Sequence, residues 1–200
     1  MRNRVATFFN VAIFNRAARD EVCTGTRRTS EGDDYNHRML ALRYVYVLAL
    51  AVWLGGMLIL GAIVAPTIFE VLQAHAPATG RELAGDAFGS MLARFHYVAY
   101  GAGALLLLTL GAMRLLGPRP AHGGIRAAIV VIMLGIALYS GMVVLRQIEA
   151  VQVAAGGLPS RLPEGDARRV RFDSLHLLST RLMMINIAGA LALLYWEARE

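Results

Sequence analysis

The sequence predicts an all-α membrane protein: an antiparallel bundle of four transmembrane helices, preceded by an N-terminal tail that is amphipathic or disordered. Two observations lead to this fold class. The 200 residues are 56% hydrophobic, with a mean hydropathy of +0.50, which is too apolar for an ordinary soluble domain. The apolar residues also fall into four separate runs, and a soluble core has no place for four helices that are apolar on all sides.

Each apolar run is long enough for a helix to cross a bilayer core of about 30 Å. Within a transmembrane domain of residues 39–200, the predicted spans are residues 44–65, 95–113, 126–145 and 175–196. Short or moderate connections make consecutive helices antiparallel. Asp166 follows the turn residues of the last connection and is predicted to cap the fourth helix.

The first 38 residues differ from the rest of the chain. Val5, Phe8, Phe9, Ala12 and Ile13 share one face of a short helix, which is typical of a helix that lies in the membrane interface. A polar stretch, "CTGTRRTSEGDDYNHR", then leads to the first span as a linker.

The charge of the chain indicates a membrane partner. All 20 cationic residues are arginine and the formal net charge is +6, which suits a protein held against anionic lipid. The arginines are scattered around the apolar runs without forming a stripe, so nucleic-acid binding is not expected. The single cysteine, Cys23, excludes an internal disulfide and a cysteine-based zinc site.

The distribution of arginine predicts the orientation. The N-terminal tail, the second connection and the C-terminus hold twelve arginines, whereas the first and third connections hold seven. The positive-inside rule therefore places both termini in the cytoplasm of a bacterial inner membrane. The expected partners are the lipid bilayer and either a second copy of the chain or a larger membrane complex.

Polar residues converge at the opposite, external end of the predicted bundle. His96 and His176 each lie near the start of an even-numbered span, so their side chains should lie at a similar depth. On the fourth helix, His176, Ser179, Met183 and Asn186 recur at steps of three and four, which makes one helical stripe. The candidate pocket residues are His96, Tyr100, Arg146, Asp173, His176, Ser179, Arg181 and Asn186.

Three functions fit this convergence. A metal ion or a small solute could bind there, with copper held by His96, His176 and Met183. Alternatively, the two histidines could be the axial ligands of a haem b iron in a membrane redox protein. In the third reading, the polar side chains only tie helices together, and the protein is a structural or assembly partner. The sequence has no GxSxG, P-loop or HExxH motif, so an enzymatic activity is not favoured.

Several stretches are similar to the domain-of-unknown-function 4149 family, the bacterial relatives of transmembrane protein 205. They are "RYVYVLALAVWLGGMLILGAIVAP", "FGSMLARFHYVAYGAGALLL", "LYSGMVVLRQIEAV" and "RFDSLHLLSTRLMMINIAGALALLYWEARE". The resemblance covers residues 40–200, and its most specific part is the pattern of Leu175, His176, Ser179 and Asn186. It implies a four-helix integral membrane protein and supplies no reaction.

Overall fold

Four long helices dominate the computed structural model, which describes residues 37–116 and 122–199. They are α1 (His37–His75), α2 (Gly80–Leu116), α3 (Gly123–Ala155) and α4 (Ala167–Glu197). Each is long and apolar enough to cross a membrane, and no strand occurs in the described residues. The predicted fold class is therefore confirmed, and the chain is an integral membrane protein. The predicted interfacial helix of the tail lies outside the described residues.

The helices are longer than the apolar spans from which they were predicted. At about 1.5 Å per residue, their 31 to 39 residues correspond to lengths of about 46 to 58 Å, well beyond a bilayer core of about 30 Å. Most of the additional turns lie at one end of the bundle, where α1 and α3 finish and α2 and α4 begin. We call this the two-loop end, because it carries the α1–α2 connection, residues 76–79, and the α3–α4 connection, residues 156–166.

Neighbouring helices pack in chain order, α1 on α2, α2 on α3 and α3 on α4. Trp53, Leu106 and Val130 are almost completely buried and come from α1, α2 and α3 in turn. Gly103 allows these helices to approach closely, since a Cβ atom there would lie 2.9 Å from Leu134 and 3.1 Å from Trp53. Gly103 therefore serves helix packing, as expected for small residues in membrane bundles.

The α3–α4 connection begins with a helix C-cap that requires glycine. Gly156 has a φ of +69°, in the left-handed region. Its N–H donates to the carbonyl of Val153, and the N–H of Gly157 donates to the carbonyl of Gln152, which is the Schellman arrangement. A short 3₁₀ turn, Pro159–Arg161, follows before α4 begins.

Asp166 caps α4, as the sequence predicts. Its carboxylate accepts a hydrogen bond of 2.8 Å from the backbone N–H of Arg168, and the Arg168 side chain donates to both carboxylate oxygens. These side-chain and backbone hydrogen bonds lower the pKa of Asp166 from 3.8 to about 2. The cap fixes where α4 starts and therefore the height of its polar residues.

The two connections at this end contact each other. The Arg161 guanidinium donates to the backbone carbonyl of Ala78 and lies 3.8 Å from the carboxylate of Glu82. Arg161 thus joins the α3–α4 connection to the α1–α2 turn and the beginning of α2.

Candidate functional site

A cavity of about 1050 Å³ lies between the four helices toward the two-loop end. Residues of α1, α2, α3 and α4 all contribute to its wall. Its volume is at the upper end of the range for small-molecule sites, and its lining is mainly apolar with a few polar groups, which is also typical of such sites. The cavity is therefore the candidate functional site.

The structure brings five of the sequence-predicted residues to this cavity. From α2 comes His96, and from α4 come His176, Ser179, Met183 and Asn186. The four members of the stripe predicted on α4 all line the cavity, with Asn186 buried and His176 exposed.

The other four candidates lie outside the cavity lining. Tyr100 is close to it, with its ring centroid 6.0 Å from that of His96 and its hydroxyl donating to the carbonyl of Ala137 at 3.4 Å. Arg146, Asp173 and Arg181 are exposed side chains on α3 and α4. These three residues lie on the outward faces of their helices. They were predicted from their position along the chain, which does not show which face of a helix a residue occupies.

His96 is buried, with 8% of its surface exposed. Its Nδ1 lies 2.8 Å from the backbone carbonyl of Leu92. A ring nitrogen that bonds to a carbonyl must carry the hydrogen, so in the neutral ring Nε2 is left as an acceptor or a metal ligand. Gly141 of α3 makes room for the ring, since a Cβ atom there would lie 2.7 Å from His96 Cδ2.

His176 has a different environment from His96. It is exposed, and its ring stacks on Phe172, one helical turn earlier, with centroids 6.2 Å apart and planes inclined by 11°. The structure thus places both histidines on the cavity wall, one buried against α3 and the other at an accessible position on α4.

Asn186 is the most buried polar residue of the α4 stripe, with 5% of its surface exposed. Its side-chain Oδ1 has no hydrogen-bond partner among the described residues. A buried acceptor without a donor costs about 1–3 kcal/mol, so native proteins rarely keep one without a reason. Asn186 therefore lines the cavity and carries a buried acceptor that no described residue satisfies.

Two carboxylates also line the cavity, Asp86 on α2 and Glu149 on α3. None of the arginines in the described parts of the chain does so. Neither carboxylate was among the sequence-predicted pocket residues, and Asp86 lies beyond the apolar part of α2. Counting back from His96 in helical steps through Ala93 and Ser90 would have found it, because all four line the same cavity.

Two π-helical turns form part of the cavity wall. Leu60–Val64 interrupts α1 and Ser140–Val144 interrupts α3, each at the same distance from the end of its helix. In both, an N–H donates to the carbonyl five residues earlier, from Ala65 to Leu60 and from Leu145 to Ser140. Such turns occur frequently at functional sites because they redirect side chains locally.

The described residues contain no group of three or more histidine, cysteine, aspartate or glutamate side chains arranged to hold a metal ion. A metal bound here would therefore need other ligands, such as the Met183 sulfur beside the two histidines.

A second polar cluster, which we call the ion-pair end, lies at the opposite end of the bundle. Arg126 of α3 is 1% exposed and donates to the carboxylate of Glu197 at the end of α4. The guanidinium carbon also lies 5.1 Å from the ring centroid of Tyr46 in α1. The predicted third span begins at Arg126, but the sequence analysis did not pair this residue with Glu197. The available signal was two opposite charges at matching ends of antiparallel helices.

Comparison with known proteins finds one family. The family described as Domain of unknown function (DUF4149) matches residues 48–156, which is more than half of the chain and extends from α1 to the end of α3. The fourth-helix pattern, expected to be the most specific part, lies outside the matched residues. No curated protein and no solved structure matches the chain.

Proposed function

Since the chain belongs to the DUF4149 family, whose description assigns no activity, we propose from the cavity that this membrane protein binds a small amphipathic solute between its four helices. The observation that carries the proposal is the cavity itself, of about 1050 Å³, with the acceptor groups of His96 and Asn186 on its wall. Binding there could lead to passage of the solute across the membrane.

The composition of the wall supports a solute as the ligand. Apolar side chains exclude water, and a few placed polar groups fix the orientation of the bound molecule. Here Asn186 Oδ1 has no donor among the described residues, and His96 presents Nε2 as a further acceptor. A bound molecule with a polar head and an apolar body would satisfy both parts of the wall.

A metal or haem function is the second candidate. It is favoured by the hydrogen bond of His96 to Leu92, which is the kind of contact that orients a histidine ligand. With His176 and Met183 on the same wall, copper would have two nitrogen ligands and one sulfur ligand. In the haem alternative, the two histidines would be the axial ligands. A Soret band or stoichiometric copper in the purified protein, lost in both His96→Ala and His176→Ala, would favour this candidate over a solute.

The proposed setting is the inner membrane of a bacterium, with both termini cytoplasmic and the two-loop end external. The excess of arginine in the N-terminal tail, the second connection and the C-terminus supports this orientation. Four helices form a narrow bundle, so passage of a solute would require a second copy of the chain or a larger membrane complex. If nothing binds, the remaining reading is a structural or assembly partner.

Trp53 provides a direct test of solute binding. It lines the cavity and is 1% exposed. The chain has two tryptophans, so Trp196→Phe leaves Trp53 as the single fluorescent donor. In nanodiscs of zwitterionic lipid, the neutral probe 1-pyrenemethanol should accept energy from Trp53 in a saturable manner, with one probe per chain.

A matched pair of serine variants on α4 gives the control. Ser179 lines the cavity, whereas Ser174 is exposed and its hydroxyl donates to the carbonyl of Val170. Ser179→Phe should narrow the site and weaken the saturable signal, and Ser174→Phe should retain it. A signal that rises linearly with probe and is equal in both variants would report partition into lipid and contradict the proposed function.

A further inference from the structure

We infer that the ligand of this cavity is an organic cation, an amphipathic amine whose ammonium group lies near Asp86 and Glu149. The inference rests on the proposed function and names the chemical class of its solute. Two features of the wall lead to it, its charge and its aromatic side chains, and the unused acceptor of Asn186 adds a requirement for a hydrogen-bond donor elsewhere in the ligand.

The charge of the cavity is opposite to that of the chain. The protein has a formal net charge of +6 and 20 arginines, yet Asp86 and Glu149 are the only charged side chains among the described residues of the wall, with the histidines counted as neutral. Both carboxylates are exposed side chains, so water screens part of their field, but no cationic side chain in the described wall offsets it. The cavity therefore favours a cation over an anion of the same size.

The unused acceptor favours a ligand that carries a hydrogen-bond donor. Asn186 Oδ1 is buried and has no partner among the described residues. Gly189, one helical turn from Asn186, packs against Met133 of α3, which lies about 24 Å from Glu149 along that helix at 1.5 Å per residue. The donor to Oδ1 would therefore be a second polar group in the body of the amine, since its ammonium group lies near the carboxylates.

The apolar part of the wall is suited to the body of such an amine. Phe88 and Phe95 from α2 and Phe172 from α4 line the cavity together with Trp53. Aromatic faces attract cations through their quadrupole and also pack against flat apolar groups. The wall therefore combines surfaces for both halves of an amphipathic amine.

A matched series of pyrene probes tests the inference with the same Trp53 readout. In the series 1-pyrenemethylamine, 1-pyrenemethanol and 1-pyrenecarboxylate, the aromatic body stays the same while the charge at neutral pH changes from +1 to 0 to −1. The amine should bind roughly tenfold more tightly than the alcohol, which corresponds to modest electrostatic terms at partly exposed carboxylates. The carboxylate should bind most weakly.

Charge-neutralising variants locate the source of the preference. Asp86→Asn with Glu149→Gln should bring the affinity for the amine to within about twofold of that for the alcohol, with both probes measured in the same variant. Asp173→Asn with Glu70→Gln makes the same change in total charge at exposed positions outside the wall, and should retain the tenfold preference.

The possible results separate the inference from the proposed function. Saturable binding of the alcohol without any preference for the amine, or a preference that the Asp86 and Glu149 variants leave intact, would overturn the inference while solute binding stands. Tightest binding of the carboxylate would overturn it as well. Absence of saturable binding by all three probes would remove the proposed function, and the inference with it.

Discussion

Both ends of the bundle carry polar side chains among apolar ones, but the two ends differ in how these side chains are paired. At the ion-pair end, Arg126 and Glu197 bond to each other and the ring of Tyr46 lies beside the guanidinium. At the two-loop end, Asp86 and Glu149 face a cavity that contains no arginine from the described residues, and Asn186 Oδ1 has no partner there.

This difference separates polar side chains that stabilise the fold from polar side chains that are available to a ligand. A buried charge is tolerated when its counter-charge is built into the fold, and removal of one partner then destabilises the protein strongly. Polar groups that line a cavity without such partners are instead available to a ligand. We therefore expect substitutions at the ion-pair end to change mainly stability, and substitutions at the cavity to change mainly binding.

The largest effect is expected for Glu197→Ala, which would leave the buried Arg126 guanidinium without this carboxylate. Breaking a buried pair in this way typically costs about 3–5 kcal/mol. Reversible unfolding of the detergent-solubilised protein by sodium dodecyl sulfate, followed by far-ultraviolet circular dichroism, measures the loss in free energy of unfolding.

The double variant Arg126→Met, Glu197→Gln is the control for that experiment. It removes both charges while keeping side chains of similar length, so it should be less destabilised than Glu197→Ala alone. If the single variant were as stable as the wild-type protein, the ion pair would be a surface feature and the contrast between the two ends would fail.

The fold could be predicted from the sequence because bilayer thickness imposes a length on every apolar run. The ends of the helices could not be predicted in this way. Beyond residue 65, α1 continues to His75, and α2 begins at Gly80, before the apolar run that starts near residue 95. Outside the bilayer core, helix formation depends on capping and on contacts such as that of Arg161 with Ala78, which hydropathy does not report.

Part of the candidate site could also be predicted from the sequence. Antiparallel order placed His96 and His176 at the same end, the helical period of α4 joined Ser179 and Asn186 to them, and all four line the cavity. Asp86 was missed because it lies on the polar extension of α2. The pairing of Arg126 with Glu197 was missed because it depends on the rotation of α3 about its axis, which the position of a residue in a span does not determine.

A smaller effect is expected at Gly141, where α3 approaches His96. In Gly141→Ala the new methyl group would clash first with the hydroxyl oxygen of Tyr100 and would lie 2.7 Å from Cδ2 of the His96 ring. Such overpacking typically costs about 1–3 kcal/mol. Because the ring forms part of the cavity wall, the variant should also bind 1-pyrenemethanol more weakly.

Gly135→Ala is the matched control on the same helix, since a Cβ atom there would meet no atom within 4 Å. It should be neutral or stabilise the helix by up to about 1 kcal/mol. Equal stabilities for the two alanine variants would show that α3 can move away from His96, and that the cavity end is less tightly packed than the ion-pair end.

The smallest effect is expected at Asp166, which fixes the start of α4 at the two-loop end. Because the pKa of this carboxyl is lowered from 3.8 to about 2 in the folded protein, folding favours its ionised form. Its contribution is therefore fully present above about pH 4 and is lost as the pH falls to about 2. Asp166→Asn retains a capping side chain but cannot ionise, so thermal unfolding should show the wild-type protein more stable above pH 4, with the difference disappearing toward pH 2.

The Glu164 carboxylate, which is 93% exposed and 3.7 Å from Arg169, provides the control, since Glu164→Gln should leave this pH dependence unchanged. A difference between wild type and Asp166→Asn that stays constant with pH would assign the cap to its geometry alone, without the charge.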